Sequence, residues 1–144
     1  MDNAGTYALM ILSEEQLHLP IGMLGIYSVT KGYYIYVGSA LKGLPSRLNR
    51  HLMTKKLLQW HVDTLLLHTK AIQIWYSLSK TRLEYAWNKI IQELPRAIPV
   101  ISGFNSSYCR CQSHLAHFLT VPSFYSFRLQ LRRSRLPRLH RVIV

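Results

Sequence analysis

The spacing of apolar residues changes along the chain, and the changes divide strands from helices. Gly5 to Leu12 alternates, with Tyr7, Leu9 and Ile11 on one face at a period of two, as a half-buried strand requires. Gln16 to Leu24 is a second strand candidate, interrupted by Pro20 and Gly22, and Ile26 to Thr30 is a short third. Lys31-Gly32 reads as a turn. Tyr33 to Val37 is aromatic and β-branched throughout; alternation puts Tyr34 and Tyr36 on one face and Tyr33, Ile35 and Val37 on the other. From Leu44 the period lengthens. Leu44, Leu48 and Leu52 stand four apart and mark one helical face, with Arg47 and His51 on a neighbouring one. Trp60 to His68 predicts a second short helix. Ile72, Ile74 and Tyr76 alternate as a strand. Thr81 opens a third helix whose stripe is Leu83, Ala86, Trp87, Ile90, Ile91 and Leu94, stopped by Pro95.

This order predicts an α+β fold, helices packed on a small, mostly antiparallel sheet. The regular pattern stops after Phe118. Residues 1–118 are therefore read as one domain and 119–144 as a basic, flexible tail. A chain of 144 residues with 49% hydrophobic composition sustains one core. No basic-then-apolar leader opens the sequence, and the uncharged stretch between Arg110 and Arg128 falls short of the roughly 20 apolar residues of a membrane helix. Two cysteines make no disulfide scaffold, so a cytoplasmic location is expected, nucleoid-associated in a prokaryote.

Charge narrows the partners. Eighteen Lys and Arg stand against six Asp and Glu, a formal net charge of +12. A chain that basic gains from a polyanion, because each phosphate contact releases counterions. DNA is the expected partner and RNA the alternative; a peripheral membrane protein is the remaining reading of the charge alone. No acid follows Glu93, so carboxylate chemistry has few residues to draw on, and Asp63 and Glu84 are the two well inside the chain.

Several segments then fall in a recognisable order: Gly5-Thr6-Tyr7, Gly32 to Ala40 with Tyr36-Val37-Gly38-Ser39, Gly43 to His51, Trp60 to Asp63, and Phe104 to Leu115. With a helical Glu84 they resemble the GIY-YIG nuclease superfamily. That family pairs a G-x-Y strand with a Y-x-G strand, followed by a helical Arg, often with His four residues on, and a helical Glu. The resemblance is closest to its small Uri-type domains of unknown function, sometimes fused to base-excision endonucleases, and covers residues 5 to about 118. Five segments in order are specific where G-x-Y alone is not. Asn105 replaces a family Gly and Tyr108 a family Asp. Gly25-Ile26-Tyr27 is a competing first motif; Gly5-Thr6-Tyr7 is preferred because the subgroup inserts a hairpin between its two tyrosine motifs.

The resemblance implies a metal-dependent DNA endonuclease, with repair or recombination as its setting and a cut leaving 3′-hydroxyl and 5′-phosphate ends. Phosphodiester hydrolysis needs a positioned water, a base, and neutralisation of charge on the phosphoryl oxygens and leaving group. Glu84 is the implied ligand of one Mg²⁺ or Mn²⁺, the remaining positions left to water and phosphate. Arg47 is placed against the phosphate, where a guanidinium makes two hydrogen bonds. Tyr7 is the implied base and Tyr36 orients water or phosphate. A free tyrosine has a pKa of about 10, so on the order of one in a thousand is ionised at pH 7, and Tyr7 needs either cations around its phenolate or a relay. His51 is open as phosphate ligand or proton carrier. Lys42, Arg47, Arg50, Lys55, Lys56, Arg132, Arg133 and Arg135 are the expected nucleic-acid contacts.

Each residue has a structural alternative. Thr81-x-x-Glu84 is a capping box, which turns Glu84 onto its own helix. Tyr7 and Tyr36 equally suit half-buried strand positions, Arg47 a solvated helix face, and Asp63 a cap or a pair with Lys55 or Lys56. Cys109, Cys111, His114 and His117 carry thiols and imidazoles suited to zinc, though C-x-C is tighter than the usual spacing; the alternative is a packed turn. Two further functions stay open: a DNA-binding module of the same fold that does not cleave, and an RNA-binding protein.

Overall fold

Strand β1 (Gly5–Ser13) lies at the centre of the fold because both of its faces are apolar. The computed structural model describes residues 4–40, 42–53, 61–101, 104 and 113–144. The other elements, in chain order, are β2 (Leu17–Pro20), β3 (Ile26–Val29), β4 (Gly32–Ala40), α1 (Leu44–Leu52), α2 (His61–Leu66), β5 (Lys70–Leu78), α3 (Glu84–Gln92), β6 (Ile98–Pro99), β7 (Leu115–Phe118), α4 (Phe124–Arg133) and β8 (His140–Ile143). Six strands form one sheet in the order β6-β7-β4-β1-β5-β8, every described pair antiparallel. The expected α+β layout is the one observed. β2 and β3 form a separate hairpin inserted between β1 and β4.

Alternation along β1 and β4 divides the core in two. Tyr7, Leu9, Ile11, Tyr34 and Tyr36 face one side, packed with Leu44 of α1, Val62 and Leu65 of α2, and Leu19 and Val29 of the hairpin. Ala8, Met10, Ile35 and Val37 face the other, covered by α3 through Trp87 and Ile91 and by α4 through Phe127 and Leu131. Register puts Tyr7 opposite Gly38 and Leu9 opposite Tyr36. At Gly38 an added Cβ would lie 2.5 Å from Tyr7 Oη, so the bare backbone there is what lets the phenol lie across β4.

Two expectations are corrected. Residues 119–144 are not a flexible arm: α4 sends Phe124, Phe127 and Leu131 into the core, Leu139 follows, and β8 extends the sheet beside β5. Phe127 stacks on Trp75 at 5.5 Å and meets the edge of Trp87 at 5.1 Å. Three or four apolar residues per two turns suffice to dock a helix, and the six arginines from Arg128 to Arg141 obscured that stripe in the sequence. The capping box is also absent. The third helix begins at Glu84, with Leu83 at the N-cap and no side-chain cap. Glu84 is thus in the first helical position instead of the third, and its carboxylate is released to reach elsewhere.

Candidate functional site

Two faces of one sheet meet at the C-terminal end of β4. On the first, Tyr7 from β1, Tyr36 from β4, and Arg47 and His51 from α1 converge. Gly43 has φ 148°, a conformation favouring glycine, and Pro45 occupies the first turn, so α1 leaves β4 abruptly and turns Arg47 and His51 back over the tyrosines. Tyr7 Oη and His51 Nε2 are 2.7 Å apart, with Tyr7 fully buried and His51 nearly so. The Tyr7 and Tyr36 rings lie 6.2 Å apart. Arg47 Nη1 donates to the carbonyl of Ser39 at 2.9 Å.

On the second face, Ser39 Oγ donates to Glu84 Oε1 at 2.6 Å, and His114 Nδ1 lies 2.7 Å from Glu84 Oε2. Ser39 therefore joins the two halves: its main chain holds Arg47 and its side chain holds Glu84. His114 is fixed in turn by α3. One turn beyond Glu84, the buried Asn88 donates to the Ser113 carbonyl at 2.8 Å, and Gln92, another turn on, reaches the carbonyls of Ser113 and Leu115. Residues 84, 88 and 92 thus clamp the segment that delivers His114, on one helix face.

Electrostatics set the protonation states. Burial pushes the Tyr7 phenol up to about 12, against the charge and hydrogen bond of Arg47, which pull it down. Burial likewise raises Tyr36 well above the ordinary tyrosine value, assisted by Tyr7 and Glu84. Burial raises Glu84, yet hydrogen bonds from His114 and Ser39 outweigh it and hold the carboxyl below its ordinary value. At neutral pH the site is two neutral phenols, a guanidinium and an ionised carboxylate.

The carboxylate has two lone pairs on each oxygen and has given one from each to Ser39 and His114, so capacity remains for a cation. Beside Ser39, in register across the sheet, lie Thr6 and Ser77. Their hydroxyls are buried and have no partner among the described residues. Such oxygens suit the water shell of a hard cation, so the donor set fits one Mg²⁺ or Mn²⁺ on a single carboxylate. Among the described residues no three His, Cys, Asp or Glu converge as a metal cage.

The remaining predicted residues scatter. Arg50 is bound bidentately by the fully buried Asp63, at 2.8 and 3.0 Å, which ties α1 to α2. Lys42 is exposed beside the α1 start. Arg132, Arg133 and Arg135 are exposed on the side of the sheet away from Arg47. Lys55, Lys56, Cys109 and Cys111 lie outside the described residues. His114 and His117 do not converge as a zinc pair: they lie on opposite faces of the β7 segment, His114 against Glu84 and His117 against the Lys31 carbonyl and the Tyr34 ring. Of the two candidate first motifs, Gly5-Thr6-Tyr7 is the one beside β4, whereas Tyr27 belongs to the separate hairpin. Ser39, Asn88 and the Glu84 contact of His114 were missed from sequence. Ser39 was within reach, since alternation places it opposite in face to Tyr36.

These features define a single α+β domain whose polar cluster straddles the end of a central antiparallel strand pair. Residues 6–133 match the family described as Domain of unknown function DUF123, and the chain belongs to that family. No curated protein and no solved structure matches the chain. Among the described residues no helix is long and apolar enough to cross a membrane.

Proposed function

We propose that this protein is a metal-dependent DNA endonuclease of GIY-YIG type, acting in the cytoplasm on DNA in repair or recombination. The observation that carries the reading is the buried Tyr7–His51 contact at 2.7 Å, set beside Arg47 and joined through Ser39 to an ionised Glu84. A G-x-Y strand paired with a Y-x-G strand, a helical Arg with His four residues on, and a helical Glu are the parts the resemblance calls for, and here they are neighbours in space.

The chain's own residues supply most of the chemistry. Tyr7 with a pKa of about 12 is a poor base alone, because on the order of one phenol in 100,000 is ionised at pH 7. With His51 at hydrogen-bonding distance, the phenol accepts a proton from water as its own proton passes to the imidazole, so no free phenolate is needed. Arg47, held at the Ser39 carbonyl and beside Tyr7, would bring its guanidinium charge to the phosphate. Tyr36 packs against both Tyr7 and His51 and orients the attacked group. Glu84 would hold the cation, which neutralises charge on the phosphoryl and leaving oxygens when bound. Cleavage then leaves a 3′-hydroxyl and a 5′-phosphate.

Nicking of supercoiled plasmid in Mg²⁺, Mn²⁺ or EDTA tests this, with Glu84→Ala beside the wild type. Metal-dependent nicking that disappears in Glu84→Ala while DNA binding persists is the expected result. Equal nicking by both proteins removes Glu84 from the mechanism. A second reading, a DNA-binding module that does not cleave, is favoured by one observation: both Glu84 oxygens are already hydrogen-bonded within the protein. Intact DNA binding with no nicking in any metal would select it.

A further inference from the structure

The C-terminal segment carries a groove that the proposed chemistry does not use. Between α4 and the following turn lies a cavity of about 350 Å³ whose lining includes Arg128, Arg132 and Arg138. It lies on the side of the sheet away from Tyr7, Arg47 and His51. No acid follows Glu93 in the chain, and these arginines enter none of the ion pairs among the described residues. Like charges crowded into one groove repel, and no carboxylate among the described residues pairs with them. An anion would.

Two further observations point to a ligand with planar groups. Arg128 also sits over the Tyr125 ring at 5.0 Å, and Arg141 of β8 sits over the adjacent Phe124 at 4.6 Å. Tyr125 is 58% exposed. Guanidinium groups held over aromatic rings at a surface form a ready stacking platform for bases.

We infer that the α4–β8 face is a second nucleic-acid site, which binds a single strand with its phosphates along Arg128, Arg132 and Arg138 and a base on the Tyr125 platform. The kind of partner rests on the reading of the chain as a DNA enzyme; the location rests on this groove alone. A protein that holds a single strand along α4 and β8 and the scissile phosphate at the end of the sheet suits substrates with an unpaired segment beside a duplex.

Fluorescence anisotropy with a labelled oligothymidylate, followed across a salt titration, tests the site. Single strands give a slope of about −0.7 per phosphate contact, so Arg128→Gln/Arg132→Gln/Arg138→Gln lowers its magnitude by about 2. Tyr125→Ala weakens binding on the order of tenfold, and a base-free abasic oligomer of equal length binds the wild type correspondingly less. Should the triple variant fail to fold, the single substitution of the exposed Arg132, Arg132→Gln, serves and lowers the slope's magnitude by about 0.7. An unchanged salt slope in the folded triple variant, or in Arg132→Gln where the triple variant does not fold, overturns the inference, and wild-type plasmid nicking reports separately on the proposed activity. Wild-type nicking without single-strand binding also overturns it alone. Binding to phosphatidylserine vesicles that matches binding to oligothymidylate reduces the face to a general polyanion surface and overturns the single-strand assignment.

Discussion

One methyl group at Gly38 tests whether the Tyr7 phenol is held where the chemistry needs it. Gly38 is absent from the glycines with positive φ, so alanine meets no backbone strain there, and a strand interior ordinarily favours alanine over glycine. The cost of Gly38→Ala is therefore steric. The new Cβ would lie 2.5 Å from Tyr7 Oη and 2.6 Å from its Cζ, where ordinary contact needs about 3.5 Å or more. The phenol must move by about 1 Å, and Tyr7 is fully buried, so its surroundings must move too. Overpacking of this kind costs about 1–3 kcal/mol, and the lost Tyr7–His51 hydrogen bond adds about 1 kcal/mol. A total of about 2–4 kcal/mol corresponds to a fall in Tm of roughly 5–15 °C for a chain of this size. Nicking should fall by about 100-fold, the usual consequence of a reacting group displaced by an ångström. The decisive assay is a double-mutant cycle by urea denaturation. In a Tyr7→Ala background the methyl finds space, so Gly38→Ala should cost at least about 1 kcal/mol less than in the wild type. Additive effects would refute the claim that Gly38 is bare for the sake of Tyr7.

Further outcomes follow from the same contacts. Truncation after Phe118 removes Phe127 and Leu131 from the second core, and circular dichroism should show loss of cooperative unfolding, where a flexible tail would leave Tm unchanged. Asp63→Ala strands Arg50 and should cost about 2 kcal/mol in denaturant titrations, less than for a deeply buried pair because the Arg50 side chain is 22% exposed. The Tyr7 phenol ionises near 10 when unfolded and about 12 when folded, so between those values the native state holds the extra proton and stability falls as pH rises. Two pH units amount to about 3 kcal/mol, and Tyr7→Phe, less stable at pH 8, should lose that much less by pH 12. Asn88→Ala leaves the Ser113 carbonyl to the longer Gln92 contact and loosens His114; the Glu84 carboxyl, followed by NMR titration, should then titrate nearer its ordinary value.

The strands β1, β4 and β5 were legible because their signal is local, whereas β6, β7 and β8 were not. Period-two alternation put Tyr7 with Leu9 and Ile11 along β1 and separated Tyr34 and Tyr36 from Tyr33, Ile35 and Val37 along β4, and the tertiary packing agrees. The four-residue spacing of Leu44, Leu48 and Leu52, with Arg47 and His51 beside it, showed α1 for the same reason, although Leu52 is exposed and His51 is buried. What escaped depends on long-range geometry. The Glu84–His114 contact joins residues thirty positions apart, and neither side chain looks unusual in its own window. The capping box misled because Thr81 and Glu84 have the right spacing but the N-cap is Leu83, two residues later than Thr81. In α4, Phe124, Phe127 and Leu131 do keep helical spacing, but the interleaved arginines drew attention to charge.

The order of the chain has a consequence in time. The central strand β1 emerges before the other described elements during synthesis, whereas its site partner on the far face, Glu84, is held by a histidine that follows much later. At about 5–20 residues per second, roughly 5–20 s separate Tyr7 from His114 on the ribosome. During that interval β1, β4 and β5 can pair, but Glu84 has Ser39 without His114 to hold it, and the second face has no α4 to cover it. A stalled chain would expose an apolar sheet that invites aggregation or a chaperone, and would lack the fixed carboxylate. Competence therefore waits on residue 114, so a nascent basic chain that touches the nucleic acids around it does so before its site exists.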